Sequence, residues 1–224
     1  MNILAFETSS RLGSVALQHG ARVAVREILE PRDQTEQILV HIDSLLAESG
    51  LKLAALDGVA FGRGPGSFTG LRVSAAVAQG LAAATGVALL PLSSLVCLAE
   101  RAWREFGESR CLVCVDAHMG EVYWAETLRR DGVVELVGAE RLDPPGDVPV
   151  PAGEWVAVGN GFAAHVEALA VVARRAKRLL PELTPDARDL LVAAQRDLVA
   201  GRTVAPEDAL PVYLRDQTAW RRSS

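Results

Sequence analysis

A chain of 224 residues that is 50% hydrophobic, with mean hydropathy +0.19, is long and apolar enough for one large domain or two small ones, which excludes a disordered or collagen-like protein. Aromatic residues supply only 5%, so the interior is built from small aliphatic side chains, as in helices packed closely on a sheet. The 23 basic and 28 acidic residues leave a net charge of −5 and a pI near 5.4, and the chain as a whole lacks the electrostatic footprint of a nucleic-acid binder.

Residues 3–7 read as a strand, 9–13 as a turn, 14–18 as a second strand and 22–29 as a third, with Val23 and Val25 on one face. From Thr35 the period changes, and Ile38, Ile42, Leu45 and Leu46 form a helical stripe that Gly50 closes. Residues 58–62 form a short buried strand, followed by a glycine-rich loop and a helix over 70–85 that Gly86 ends. Another strand is expected over 87–92, and Ser93 or Ser94 caps a helix that runs to Phe106. Strands and helices in this order predict a mixed sheet with helices packed on its faces.

The second half starts in the same way. Residues 110–115 form a strand that ends on Asp116, a short loop holds Met119 and Gly120, and 121–128 form a strand leading to the hairpin pair Asp131-Gly132 and a return over 133–137. The run Phe6-Glu7-Thr8 to Gly13-Ser14-Val15 parallels Val115-Asp116-Ala117 to Gly120-Glu121-Val122. Likewise Ala60-Phe61-Gly62-Arg63-Gly64 is echoed by Ala157-Val158-Gly159-Asn160-Gly161. Loop lengths differ, so the repeat is one of fold. The proline-rich stretch 143–151 reads as a surface loop, and 186–200 as a helix ended by Gly201. The division expected is a first lobe over 1–107, a second over 108–210 and a tail over 211–224.

Three kinds of segment carry candidate chemistry. Gly62-Arg63-Gly64-Pro65-Gly66-Ser67-Phe68-Thr69-Gly70-Leu71-Arg72 joins a strand to a helix, which suits either an anion cradle at a helix N-terminus or a tight loop that seats the helix. It is not a P-loop, because the chain's lysines are Lys52 and Lys177, neither of them after a loop glycine. Glu7 and Asp116 place a carboxylate at each strand end, fit for magnesium and phosphates in an actin-like fold or for simple turn formation. The helix over 70–85 is nearly free of charge beyond Arg72, so it is either central in its lobe or covered by a partner.

Other arrangements lead nowhere catalytic. His19, His41, His118 and His165 have no metal-ligating helical spacing, and there is no G-x-S-x-G elbow. Cys111 and Cys114 point to opposite faces of a strand and read as buried thiols alongside Cys97. No apolar run is long enough for a membrane span and the first residues lack a signal-peptide pattern, so a cytoplasmic location is expected.

Taken together, Ile3-Leu4-Ala5-Phe6-Glu7-Thr8-Ser9-Ser10, the glycine-rich segment 62–72, Asp116-Ala117-His118-Met119-Gly120-Glu121-Val122-Tyr123 and Pro211-Val212-Tyr213-Leu214-Arg215 resemble the TsaB (YeaZ-like) family of bacterial tRNA threonylcarbamoyladenosine biosynthesis proteins. The resemblance runs from the first strand to the tail. It implies an α/β, actin-like ATPase (ribonuclease H-like) fold of two related lobes. It also implies a non-catalytic subunit that scaffolds and activates the paralogous TsaD, which transfers a threonylcarbamoyl group to the adenosine next to the anticodon, with the ATP-binding TsaE as third member. First-lobe helices would pack on TsaD or on a second copy, as a homodimer, and tRNA would be met through the complex.

The same resemblance implies no catalytic residue, no metal and no cofactor of the chain's own, with ATP or ADP belonging to the assembled complex. A vestigial nucleotide cleft would be lined by Glu7, Thr8, Ser9, Gly64, Gly66, Ser67 and Asp116. TsaD holds metal through an H-x-x-x-H arrangement that this chain lacks. Three residues depart from the family pattern: Glu7 stands where Asp is frequent, Gln34 where a His precedes the helix, and His118 where Arg is common. The alternative readings are a stand-alone actin-like small-molecule kinase using Glu7, Asp116 and the glycine-rich loop on Mg-ATP, and a glycopeptidase-like hydrolase.

Overall fold

Strand β1 (Asn2–Glu7) is the centre from which the first half is built. In the computed structural model, which describes residues 1–30 and 34–215, it pairs antiparallel with β2 (Gly13–His19), and β2 pairs antiparallel with β3 (Arg22–Ile28). On its other side lies the parallel strand β4 (Gly58–Gly64), followed by parallel β5 (Ala88–Ser93), giving the order β3-β2-β1-β4-β5. Parallel neighbours need crossovers, and these are helices α1 (Gln34–Ser49) and α2 (Phe68–Thr85).

The sheet is covered on both faces, which is why β1 is apolar without alternation: Ile3, Leu4, Ala5 and Phe6 are all buried. Leu4, Phe6, Val59 and Phe61 pack with Ile38, Ile42 and Leu45 of α1 and Ala75, Ala78 and Ala82 of α2. Phe6 and Phe61 sit opposite in register with stacked rings 6.4 Å apart, worth about 1 kcal/mol beyond their burial. The other face carries Gly58, over which Leu198 of α6 (Ala187–Val199) lies, and Ser14, whose hydroxyl accepts the Ala187 N–H at 2.8 Å.

The second sheet repeats the plan. Strand β6 (Arg110–Asp116) pairs antiparallel with β7 (Val122–Arg130), which pairs with β8 (Val133–Asp143); on the other side come parallel β9 (Val156–Val158) and β10 (Leu179–Leu180). The order β10-β9-β6-β7-β8 matches the first sheet strand for strand, so the duplication read from the sequence is real and the fold is a two-lobed α/β one. Here short helices α4 (Gly161–Ala164) and α5 (Ala170–Arg175) stand where the first half has the long α2. Helix α3 (Ser94–Phe106) joins the two halves, with Ser93 Oγ accepting the Val96 N–H at its start.

The division of the chain differs from the contiguous one read from sequence. One compact unit comprises Met1–Cys97 and Pro185–Val212, the other Leu98–Thr184 and the chain from Tyr213. The reason is α6, whose apolar side, Ala187, Leu190, Leu191 and Ala194, is used by the first sheet. Two local expectations also change. Strand β8 extends to Asp143 through an irregularity between Trp124 and Glu126. The proline-rich stretch is more than a surface loop, since Pro145 and Val148 are buried and Val148 joins the second core with Trp124, Trp155 and Phe162.

Candidate functional site

Strand β1 ends on Glu7, whose side chain is 0% exposed. Its Oε1 accepts the Ser9 N–H at 2.6 Å and its Oε2 accepts the Ser94 hydroxyl at 2.9 Å. Burial pushes the Glu7 carboxyl above its ordinary range, and the hydrogen bonds from Ser9 and Ser94 recover only part of that shift. Gly62 on β4 lies against the carboxyl group, so a Cβ there would overlap both oxygens. The glycine provides the space into which the long Glu side chain folds.

The turn that follows is locked to the glycine-rich loop. Thr8 Oγ1 donates to the Gly70 carbonyl at 2.7 Å or shares a proton with Ser74 Oγ at 2.5 Å, both deep in the first unit. The Ser9 carbonyl accepts the Ser67 N–H at 2.7 Å, and Ser67 Oγ caps α2 by accepting the Gly70 N–H at 3.3 Å. Gly66 and Gly70 are pressed so closely on the carbonyls of Ser9 and Thr8 that a Cβ at either would overlap them. Gly64, at φ +100°, would place a Cβ 2.7 Å from Leu71. These are the contacts of a loop that seats a helix on a sheet. Glu7, Thr8, Ser9, Gly64, Gly66 and Ser67 are thus brought together, but largely around one another, and Gln34 closes the turn by donating to the Ser10 carbonyl at 3.1 Å.

Asp116 belongs to the second unit. Its Oδ1 accepts the His118 N–H at 3.0 Å and lies 3.0 Å from His165 Nε2, while Oδ2 lies 3.1 Å from His118 Nδ1. Partial burial raises this carboxyl, but the His165 and His118 hydrogen bonds and the nearby imidazoles outweigh it and hold Asp116 below the usual range. The loop beyond it carries His118 and Met119 at φ 59° and 56°, and Arg215 ties it down by donating to the Ala117 carbonyl at 2.8 Å and pairing with Glu121 at 3.1 Å. Asn160, which accepts the Asp116 N–H at 3.0 Å, was visible within Gly159-Asn160-Gly161, the echo of Gly62-Arg63-Gly64; His165, just past the end of α4, gave no signal in the sequence.

A different feature faces outward from the first unit. Arg72, Ala76, Gly80 and Ala83 are exposed at successive helical turns of α2, bordered by half-buried Val73 and Val77. Phe68 at the start of the helix is 52% exposed under the Arg72 guanidinium, and on α1 Leu39 and Val40 are 51% and 62% exposed. Helices α1 and α2 touch, so the exposed apolar residues lie on paired elements. The thiols are inert by burial: desolvation pushes Cys111 and Cys114 up to about 12 and Cys97 well above its usual value. Among the described residues no three His, Cys, Asp or Glu side chains gather as a metal site, and no helix is long and apolar enough to cross a membrane.

Comparison with known proteins supplies relatives over nearly the whole length. The family profile described as "TsaD: tRNA N6-adenosine threonylcarbamoyltransferase" matches residues 29–223. The tRNA threonylcarbamoyladenosine biosynthesis protein TsaB of Escherichia coli K12 is 39% identical, the match covering 99% of this chain and 98% of that one. The protein of the same name from Haemophilus influenzae is 32% identical, covering 99% and 97%. The solved structure of YeaZ from Pseudomonas aeruginosa superposes with a TM-score of 0.89 at 41% identity, covering 95% of this chain and 99% of that one. A second structure from that organism, described as similar to the peptidase YEAZ, gives 0.89 at 39% identity, covering 96% and 99%.

Proposed function

The chain belongs to the TsaB family of tRNA threonylcarbamoyladenosine biosynthesis proteins, and we propose that within this pathway it acts as a non-catalytic subunit that binds and activates a TsaD-type transferase. The observation that carries this reading is the exposed apolar face of α1 and α2. Small side chains on α2 allow a partner helix to approach closely, and apolar surface so covered is stabilised at about 25 cal/mol per Å². The obvious chemical group of this lobe, Glu7, is fully buried and bonded inward, which fits a lobe whose strand-end turn has become part of its core. A TsaE-type ATPase completes the assembly, and any ATP or ADP is held by the complex.

The test is to mix the purified chain with a TsaD-type subunit and follow both by size exclusion, together with threonylcarbamoyladenosine in tRNA digests from a deletion strain. Co-elution and loss of the modified nucleoside are expected. Separate elution with unchanged tRNA would end the proposal. Calorimetry of the lone chain with Mg-ATP should show no tight binding; tight binding would favour the kinase alternative.

A further inference from the structure

The chain carries a net charge of −5, yet Arg174, Arg175, Lys177 and Arg178 place four cations in five consecutive residues, and all four are exposed. They run from the end of α5 to the residue before β10, the outermost strand of the second sheet, so the cluster leads into a sheet edge. Glu108 is the carboxylate that reaches it, 3.3 Å from Lys177 and 3.7 Å from Arg178, which leaves an excess of three positive charges. Arg174 and Arg175 make no ion pair among the described residues. Beside them the Arg178 guanidinium lies over the ring of Phe106, centroid distance 5.1 Å, and that ring is 42% exposed.

An interaction with the end of α5 would account for one or two of these cations, because such effects fade within the last turn of a helix. Four together repel one another, and a polyanion is the partner that relieves the repulsion. Three of the four are arginines, whose forked donors match phosphate oxygens, and an arginine stacked on an open aromatic ring presents a flat face beside them. On this basis, and resting on the pathway assignment above, we propose that the Arg174–Arg178 edge docks the phosphate backbone of the tRNA that is modified. The chain is then a direct RNA contact as well as a scaffold.

The experiment compares the wild type with the double charge reversal Arg174→Glu, Arg175→Glu, both as the lone chain and mixed with the TsaD-type subunit. Labelled tRNA is titrated by fluorescence anisotropy between about 50 and about 200 mM salt, and co-elution is scored on the same samples. The reversal should weaken tRNA binding about tenfold or more and flatten the slope of log K against log salt by about two, with co-elution and melting temperature unchanged. Arg174→Lys, Arg175→Lys should retain most of the affinity. Unchanged affinity and slope overturn the proposal, as does a wild type that binds no tRNA in either form. So does a loss confined to association with the TsaE-type subunit, which would assign the edge to an acidic protein surface. A wild-type mixture that does not co-elute strikes the subunit reading instead, while the salt slope of the lone chain still judges the edge.

Discussion

At Gly70 one hydrogen atom decides whether a helix can be seated. A Cβ there would overlap the Thr8 carbonyl, whereas Gly80, ten residues further along α2, has nothing within 4 Å of the same position. The two glycines therefore separate packing from propensity within one element. Gly70→Ala should lower stability by about 3 kcal/mol, since backbone cannot yield as a flexible side chain can; Gly80→Ala should raise it by about 1 kcal/mol through helix propensity. Urea melts check both, and equal effects would refute the seating argument. The two strand-end carboxyls oppose each other in sign. Glu7 is raised in the folded state, so its contribution is complete below the ordinary Glu value of 4.5 and is lost as pH rises through its folded value. Asp116 is lowered, so its contribution is present above the ordinary Asp range and is lost as pH falls through its folded value. Glu7→Gln keeps an acceptor for the Ser9 N–H and removes the titration. Its stability relative to wild type should improve steadily from pH 4.5 upward, and a difference independent of pH would show that Glu7 is not held raised.

At the scale of elements, α2 supports its own sheet and also carries the face proposed for a partner, and the two lie on different sides of the helix. Leu71, Ser74, Ala75, Ala78 and Ala82 are buried inward; Ala76, Gly80 and Ala83 point out. Ala76→Glu with Ala83→Glu should therefore leave the melting temperature within a few degrees of wild type while abolishing co-elution with the TsaD-type subunit. Co-elution that survives both changes would move the interface elsewhere. The helix was legible in the sequence because its signals are local, a glycine-rich loop before it and Gly86, left-handed at φ 74°, after it; its start, read at residue 70, lies at Phe68, where Ser67 caps it. Strands β1, β2, β6 and β7 and the Asp131-Gly132 hairpin were legible for the same reason. Helices α4 and α5 and strand β10 were not, since they span six residues or fewer and owe their conformation to the second core around Phe162, Leu169 and Val172. The candidate site divides in the same way. The glycines and carboxylates announced themselves by sequence, but that Gly62 makes room for Glu7, or that His165 reaches Asp116, depends on pairings that no local pattern encodes.

For the whole molecule, the decisive feature is that the chain completes its first unit only near its end. It leaves that unit at Cys97 and comes back at Pro185, and α6 then covers the face of the first sheet that α1 and α2 do not. A division into contiguous lobes fails here because burial belongs to a sheet face, and the residues that cover a face need not be neighbours in sequence. The energetic weight of the return is large. Leu190 and Leu191 are almost fully buried, and at about 2 to 3 kcal/mol for each buried leucine they alone supply an amount comparable with the net stability of about 5 to 15 kcal/mol typical of a domain. A chain ending at residue 184 should therefore expose Ala5, Ala16 and Ala60 with the rest of that sheet face, bind a hydrophobic dye and lose its cooperative melt. Limited proteolysis should cut it first within 1–97, while 98–184, which keeps its own core around Trp124, Trp155 and Phe162, resists longer. Supplying 185–224 as a separate polypeptide should restore protection to 1–97, because the missing element is a surface and not a covalent connection. A truncated chain that melts at the wild-type temperature without dye binding would show that the first sheet needs only α1 and α2, and that α6 packs on it without holding it together.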